Sequence, residues 1–441
     1  MSVKGDQISA TMKMTYEKRR HQTCRVFELK IVKDRLNKDQ EERLKMIFVE
    51  AKWCHNYLIS KMNNKEIDIF SFQQKELSHI THKDKDGNDV EVSLRYIGSS
   101  MKLGMIEGLR SNIKTLRKLK NKGKKVGRIK FRSDYRSIEL KQYGVVYQIT
   151  GRNRIKVQGI KKPLPVRGLD QIDRYGYSYD IANAKLIKRN GDYYINITIY
   201  YNDENKSEND YISNQIGIDF GCETSFTLSN GEKIDVIVEE TDRIKNLQRR
   251  INRQQKGSNN RRRTILSLRR EYDRISRIKD DKANKLVHKL LSENRQIIMQ
   301  DEQIHSWKKK HGRKIQYSVL GRVKDKLVSH KKQVFVMNRF VPTTKLCYDC
   351  GHAYDIQLWD RKFVCPNCGV IYDRDVHAAM NMVWLYNNLK DKIGLGESEF
   401  KRVEFDEEVH RIFGEWDNQM LKHEDVTSLS YHSVTSIVSG S

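Results

Sequence analysis

The chain has 441 residues, with 84 Lys and Arg against 57 Asp and Glu, and a formal net charge of +27. Its 37% hydrophobic and 32% charged residues exclude a wholly disordered chain. No signal-peptide pattern and no apolar run of bilayer length occurs, so we expect a cytoplasmic protein without a membrane partner. Such a basic excess favours a polyanionic partner, nucleic acid, over a merely soluble basic surface.

The first third of the chain begins with a strand pattern and continues as two helices. Residues 25–32 alternate between apolar and charged side chains, which is typical of a half-buried strand. Asn37 then has the properties of a helix N-cap, and Gln40 occupies the capping-box position. A second amphipathic helix is predicted over residues 99–120.

Short strands separated by turn residues follow, and they predict a small barrel or a curled sheet. The strand at residues 25–32 is expected to join this sheet, which makes residues 37–122 a helical insertion into it. The predicted strands lie at residues 138–140, 145–149, 154–158, 185–188 and 193–201.

Two groups of basic residues are dense enough to predict phosphate contacts rather than only a solvated surface. The first group follows the second helix: Lys118, Lys120, Lys122, Lys124, Lys125, Arg128 and Lys130. The second group lies on a later pair of helices: Arg249, Arg250, Arg253, Arg261 and Arg262.

The second half begins after a polar linker at residues 202–210. It predicts apolar strands at residues 215–220, 296–300 and 333–337, and a helical pair over residues 241–292 that breaks at residues 257–260. The chain after residue 393 is acidic and then rich in Ser and Thr, which predicts a partly disordered tail.

Four cysteines in two C-x-x-C pairs predict a metal site: Cys347, Cys350, Cys365 and Cys368. Four thiolates match the tetrahedral coordination of Zn²⁺ in a ribbon, whereas a redox dithiol rarely comes as two spaced pairs. Because four protein ligands close the coordination sphere, the sequence predicts a structural zinc ion and places catalysis elsewhere.

Three carboxylates stand where a strand ends or a helix begins: Asp219, Glu302 and Asp375. Alone, each is more often a turn or cap residue. Oxygen ligands of this kind bind Mg²⁺, and two such ions can support phosphodiester cleavage. In a strongly basic chain with a zinc ribbon before the third acid, the set predicts a nuclease.

The order of these motifs carries a resemblance. Ile-Gly-Ile-Asp-Phe-Gly, Met-Gln-Asp-Glu-Gln-Ile-His-Ser-Trp, the two cysteine pairs and Asp-Arg-Asp-Val-His-Ala-Ala-Met-Asn follow one another in the chain. This series resembles the TnpB family of transposon-encoded RNA-guided nucleases and the compact type V CRISPR effectors related to them. The similarity extends over about residues 25 to 390, with weaker matches in the N-terminal half.

The resemblance implies an RNase H-like RuvC nuclease domain with Asp219, Glu302 and Asp375 as its acidic triad. The pattern Asp-x-Asn-Ala-Ala selects Asp375 rather than Asp373, and His377 stands where that pattern has asparagine. The resemblance also implies a prokaryotic protein that binds a guide RNA and a target DNA carrying a short adjacent motif. The number of copies on one RNA, one or two, stays open.

The fold class that follows is multidomain α+β: a wedge-like β-barrel with a helical insertion, then a RuvC-like α/β domain with an inserted zinc ribbon. We expect barrel strand 1–36, helical recognition insertion 37–122, remaining barrel 123–205, nuclease domain 206–340, zinc ribbon 341–371, last nuclease segment 372–392 and tail 393–441.

Two other functions remain as alternatives to an RNA-guided DNA endonuclease with a single site. One is a guide-dependent DNA-binding protein that does not cleave, for which the departure at His377 is the support. The other is a DNA transposase that transfers strands between two ends.

Overall fold

A computed structural model describes residues 3–83, 87–173, 179–202, 212–357 and 360–394, together with residues 408, 409 and 411. The predicted linker at 202–210 and the predicted tail lie almost wholly outside these residues. The chain divides into two compact units, Met1–Asn205 and Lys206–Ser441. No helix among the described residues is both long and apolar enough to span a membrane.

The first unit contains four helices and nine strands among its described residues. Its helices are α1 (Val3–Arg20), α2 (Lys38–Asn63), α3 (Ser99–Asn121) and the short α4 (Asp170–Asp173). Its strands are β1 (Thr23–Ile31), β2 (His79–Lys83), β3 (Asp89–Ser93), β4 (Ser137–Leu140), β5 (Tyr147–Gly151), β6 (Arg154–Val157), β7 (Leu164–Arg167), β8 (Tyr179–Arg189) and β9 (Asp192–Tyr201).

Seven strands of the first unit form a nearly closed antiparallel barrel in the order β4-β8-β9-β1-β7-β6-β5. The sheet curls back on itself, and the Tyr147 hydroxyl on β5 donates a 2.8 Å hydrogen bond across it to the Ala182 carbonyl on β8. β1 pairs with β7 and β9, which confirms the prediction that the first strand joins the later ones. The chain between β1 and β4 forms α2, the β2–β3 hairpin and α3, while the predicted domain limits stay predictions.

The second unit contains five helices and seven strands among its described residues. Its helices are α5 (Asp242–Arg253), α6 (Asn259–Glu293), α7 (Ile304–Tyr317), α8 (Leu320–Ser329) and α9 (Arg374–Ile393). Its strands are β10 (Ser213–Phe220), β11 (Phe226–Leu228), β12 (Lys233–Ile234), β13 (Asn294–Gln300), β14 (Val334–Met337), β15 (Lys362–Val364) and β16 (Ile371–Asp373).

A five-stranded sheet in the order β12-β11-β10-β13-β14 is the framework of the second unit. β10, β13 and β14 are parallel to one another, whereas β11 and β12 add to this group as antiparallel strands. Apolar side chains of α6, α7 and α8 pack against the sheet, and residues of α9 form a second core with Ile298 and Met337. β15 and β16 form a separate hairpin beside the cysteine pairs.

Candidate functional site

Two of the predicted carboxylates lie at the carboxyl ends of neighbouring parallel strands, Asp219 within β10 and Glu302 just after β13. β10 and β13 are aligned so that Ile218 pairs with Met299, and Asp219 comes next on β10. Glu302 follows the end of β13 by two residues. Because parallel strands end at the same edge of a sheet, both acids lie at the carboxyl edge, where α/β sheets commonly bind ligands.

The third carboxylate is brought to this edge by α9, which runs antiparallel to β10. Gln215 and Asn387 exchange two side-chain hydrogen bonds of 2.7 and 2.9 Å at one end of the contact. Gly217 lies two residues after Gln215 on β10, and a Cβ atom added to it would lie 2.0 Å from the Ala379 carbonyl oxygen.

This close approach of helix and strand fixes where Asp375 lies. Four helical residues from Ala379 back to Asp375 span about 6 Å. Two strand residues from Gly217 to Asp219 span about 6.6 Å in the same direction. Asp375 therefore lies beside Asp219, and the structure brings the three predicted acids to one edge of the sheet.

The charges of Asp375 and Glu302 act on Asp219. Burial raises the pKa of Asp219 well above its usual value, and the negative charges of Asp375 and Glu302 raise it further, while Arg374 acts in the opposite direction. Burial also raises the pKa of Glu302, and the Lys324 ammonium partly offsets this shift. An edge with this charge distribution favours the binding of cations.

Two basic residues at the edge were not predicted from the sequence. Arg374 donates from Nε and Nη2 to Asp375 Oδ1 at 3.1 and 3.0 Å, and both side chains are less than one fifth exposed. Lys324 donates to Asp301 Oδ1 and to the Glu302 carbonyl, each at 2.6 Å. Arg374 could have been predicted to contact the acids, because it stands between two aspartates in the sequence. Lys324 could not, because it lies on α8, a helix that the sequence analysis did not predict.

The two aspartates of the Asp-Arg-Asp motif have different roles in the structure. Asp373 is the N-cap of α9, because its Oδ1 accepts hydrogen bonds of 3.2 Å from the backbone N–H groups of Asp375 and Val376. Its Oδ2 also pairs with Lys233 at 2.7 Å. Asp373 is thus held by the helix end, which leaves Asp375 as the carboxylate that faces Asp219.

The four predicted cysteine ligands form a compact cluster. Their sulfur atoms all lie within 4.8 Å of one another, with 3.6 Å between Cys347 and Cys368 and 3.6 Å between Cys350 and Cys365. Four Zn–S bonds of about 2.3 Å in tetrahedral geometry require about 3.8 Å between sulfurs, so the set fits zinc. Each pair is followed by a glycine of positive φ, Gly351 at 68° and Gly369 at 75°, which closes a tight knuckle.

The carboxylates are less closely gathered than the sulfur atoms. Among the described residues, the cysteines are the one group of three or more His, Cys, Asp or Glu whose ligand atoms all lie within 4.8 Å. The three acids share an edge without converging to that degree.

His377 points away from the carboxylate edge and into the segment that carries the cysteine cluster. It is completely buried, and its Nε2 accepts a 3.0 Å hydrogen bond from the backbone N–H of Tyr348. The ring stacks on Phe363 and Tyr372, with centroid distances of 4.1 and 5.0 Å. Burial lowers the pKa of His377 to about 4, so the imidazole is neutral at pH 7.

The basic residues predicted to contact phosphates are exposed in both units, with one exception. Arg261 is partly buried, and its Nη1 donates to the carbonyl oxygens of Ile251 and Gln254 at the end of α5. Arg261 therefore caps a helix end, although the sequence grouped it with the surface arginines.

Two segments of the chain match known protein families. Residues 317–382 match the Cas12f1-like TNB domain, and residues 198–310 match the OrfB_IS605 family, described as "Probable transposase". Together the two segments include all three carboxylates and all four cysteines. These matches confirm the resemblance to the TnpB family and the compact type V effectors.

Individual relatives agree with the family matches. A protein of Streptomyces pristinaespiralis named as an RNA-guided DNA endonuclease is 32% identical over 178 residues, which are 38% of this chain and 44% of that protein. A Mycobacterium tuberculosis protein with the same designation is 40% identical over 47 residues, or 11% of this chain and 10% of that protein. The chain thus aligns with less than half the length of these relatives.

Two solved structures align with most of this chain at low sequence identity. The protein in the cryo-EM structure of the Cas12f1–sgRNA–target DNA complex is 13% identical, with a TM-score of 0.49 over 82% of this chain and 99% of that chain. The mini-RNA-guided endonuclease CRISPR-Cas_phi3 is 11% identical, with a TM-score of 0.40 over 83% of this chain and 92% of that chain.

Proposed function

We propose, taking the similarity to the TnpB family and the compact type V effectors as the premise, that this chain is an RNA-guided, Mg²⁺-dependent DNA endonuclease. Asp219, Glu302 and Asp375 are its acidic residues, and they form a single site. The observation that supports this best is the meeting of three distant segments at one sheet edge, where the charges of Asp375 and Glu302 raise the pKa of Asp219.

The topology of the second unit supports an RNase H-like, RuvC-type assignment for it. An antiparallel group of strands continues into a parallel pair. Asp219 lies near the end of the first strand, Glu302 follows the fourth strand, and Asp375 lies in the first turn of a helix that packs on the first strand. The first unit has the antiparallel barrel expected for a wedge-like domain, with α2 and α3 inserted between its strands. The predicted domain limits are part of this proposal.

The chain's residues define what the site does to its substrate. Asp219, Glu302 and Asp375 supply the hard oxygen ligands that Mg²⁺ prefers, and two bound ions would activate water and stabilise the leaving oxygen. Arg374 holds Asp375 through Oδ1, which fixes one carboxylate oxygen and leaves the other free to face the site. Lys324 donates to the backbone carbonyl of Glu302, which fixes the backbone from which the Glu302 side chain extends.

The cysteine cluster and the basic surface complete the proposal. Cys347, Cys350, Cys365 and Cys368 would hold a structural zinc ion, because four protein ligands leave no open position for substrate. A guide RNA and a target DNA are the proposed partners, and the net charge of +27 suits them. Sequence reading is then delegated to base pairing, and the exposed lysines and arginines of both units contact backbones.

The experiment that tests the proposal compares Asp219→Ala with the parent protein, each purified with its own flanking transcript as guide. We expect the parent to cut a matched duplex in Mg²⁺ but not in EDTA. Asp219→Ala should bind the guide and target as before and should cut at least about 10³-fold more slowly, the scale on which loss of a catalytic group acts. Asp281→Ala is the matched control, because Asp281 is an exposed acid on α6 whose ion-pair partner within the described part of the chain is its neighbour Lys285.

The same gel separates the alternatives. Equal cutting by Asp219→Ala and the parent would show that the acidic residues are assigned wrongly. A shift of the duplex without new ends in Mg²⁺ would identify a binding protein that does not cleave. Joined products between two DNA ends would favour the transposase that the description of the OrfB_IS605 family suggests.

A further inference from the structure

Helix α9 presents two different faces to its surroundings. Asp375, Ala379 and Val383 lie at intervals of four residues, and the last two contact β10 at Gly217. Arg374, His377 and Asn381 lie at intervals of three and four and form a second stripe, which we call the ribbon face. Two residues along a helix correspond to a rotation of about 200°, so His377 lies nearly opposite Asp375.

Every residue of the ribbon face bonds to the main chain of the zinc ribbon or its approach. Arg374 Nη1 donates to the Asp360 carbonyl at 2.9 Å. Asn381 Nδ2 donates to the carbonyls of Thr343 and Leu346, at 2.8 and 2.7 Å. His377 is the acceptor of the set. Because these contacts are to backbone atoms, they fix the position of the ribbon rather than the identity of its side chains.

The His377 contact is made directly at the first cysteine pair. Tyr348, whose N–H donates to Nε2, follows the ligand Cys347 in the chain. Since Nε2 accepts, the proton of the neutral ring is on Nδ1, and Nδ1 has no hydrogen-bond partner among the described residues. The bond from Tyr348 and the stacking on Phe363 and Tyr372 are thus what orient the ring.

We propose that His377 is a positioning residue, which locks the first cysteine knuckle onto α9 and thereby fixes Asp375 relative to Asp219. This inference rests on the proposed function for its effect on cleavage, but not for its effect on the ribbon. The connection between the two residues is direct, because Asp375 and His377 both lie in the first turn of α9.

A histidine at this position performs two tasks, and an asparagine can perform only one of them. Its Nε2 is an acceptor for the Tyr348 N–H, and its ring fills the space between Phe363 and Tyr372. An asparagine offers an acceptor on a shorter side chain without an aromatic face. The departure from the Asp-x-Asn-Ala-Ala pattern therefore changes how the ribbon is held, and it affects the carboxylate edge only through helix α9.

Three variants separate the two tasks. His377→Gln keeps an acceptor near the place of Nε2 but removes the ring, His377→Phe keeps a ring but removes the acceptor, and His377→Asn restores the residue of the family pattern. Asn388→Ala is the matched control, because Asn388 lies on the same helix and its side chain, as far as the structure describes the chain, bonds within that helix to the Trp384 carbonyl.

Four measurements are made on each variant in the full chain: zinc content, amide hydrogen exchange over residues 343–350, guide and target binding, and cleavage rate against Mg²⁺ concentration. We expect His377→Phe to retain one zinc and normal binding, while the Tyr348 amide exchanges at least about tenfold faster. The Mg²⁺ concentration for half-maximal cleavage should rise by about tenfold or more, as is usual for groups that orient metal ligands. His377→Gln and His377→Asn should recover most of both losses.

The outcomes that overturn the proposal are distinct from failure of the proposed function. If cleavage falls only in proportion to lost zinc or lost melting temperature, His377 is merely structural. If His377→Phe and the parent have equal exchange and equal Mg²⁺ dependence, the Tyr348 bond does not position the site. If His377→Phe does not fold, His377→Gln and His377→Asn decide, because both keep the acceptor: clearly faster Tyr348 exchange or a clearly higher Mg²⁺ requirement in either folded, zinc-loaded variant would contradict the proposal. A parent protein that does not cleave would contradict the proposed function, and hydrogen exchange would still test the ribbon contact.

Discussion

The cysteine cluster and the carboxylate edge are both built from residues that bind metals, yet they are assembled in opposite ways. The four cysteines come from one short segment, and their sulfur atoms already lie within 4.8 Å of one another. The three acids come from the ends of two strands and the start of a helix, and within the described part of the chain they do not converge as closely.

This difference reflects what each set of ligands has to do. Two knuckles with left-handed glycines set the cysteine geometry locally, so the site is closed and suited to stabilising a fold. The acids repel one another, and their separation is maintained by packing between α9 and β10 that involves no acid at all. The geometry of the carboxylate edge therefore depends on distant contacts such as the one at Gly217.

The largest effect is expected when the cysteine cluster is broken. Cys365→Ser should lose zinc, and the ribbon should unfold, because metal binding contributes about 10–16 kcal/mol to the folding of small zinc peptides. Cleavage should be lost with it, since α9 loses the partner of its ribbon face. Zinc content, hydrogen exchange over the ribbon and cleavage rate check this. Cys24→Ser is the control, because Cys24 is exposed and lies in the first unit. Full cleavage by a zinc-free Cys365→Ser variant would show that the two regions are independent.

A smaller but still severe effect is expected at the contact between α9 and β10. A methyl group at Gly217 would overlap the Ala379 carbonyl oxygen, and backbone atoms cannot move aside as a flexible side chain can. Gly217→Ala should cost about 1–3 kcal/mol of folding free energy, as overpacked cores do. It should slow cleavage by about 10²-fold, because Asp375 shifts relative to Asp219.

The control for Gly217→Ala is Gly321→Ala. Gly321 lies inside helix α8 with open space around it, so alanine there should be neutral or stabilising by up to about 1 kcal/mol. Denaturant melts and cleavage assays on both variants make the comparison. Unchanged cleavage by Gly217→Ala would mean that the approach of helix and strand does not fix the site, although zinc binding should be normal in either case.

Features that depend on neighbouring residues could be predicted from the sequence. The helix start at Asn37 is one, since Asn37 and Gln40 form the reciprocal capping box at 2.8 and 2.9 Å. The cysteine spacing is another. β7 was not predicted, because Pro165 disfavours a strand pattern, yet the Pro165 carbonyl accepts from Val32 and joins β7 to the barrel.

Features that depend on tertiary packing could be predicted only in part. The three acids were identified by their positions at element ends, but Lys324 was not, because it acts through the fold of α8. The sequence also treated His377 as a departure within the catalytic motif. The helical period was the available signal that it faces away from Asp375, but only the structure identifies Tyr348 as its partner. The nucleic-acid contacts of the basic residues stay predictions.

The smallest expected effect tests the charge on the carboxylate edge without any substrate. The pKa of Asp219 is raised above its value in an unfolded chain, so this carboxyl favours the folded state fully at pH values below its unfolded pKa. That contribution is lost as the pH rises through the raised pKa, because a buried charge then faces Asp375 and Glu302.

Asp219→Asn should therefore melt about 2–4 °C higher than the parent at pH 7 in EDTA, the shift that ~1 kcal/mol produces in a chain region of this size. The difference should vanish below pH 4 and should shrink when Mg²⁺ is added to the parent, since cations stabilise the ionised acids. A difference of the same size at every pH would assign the effect to packing instead of charge. The stability of the carboxylate edge would then depend on local packing, as that of the cysteine cluster does.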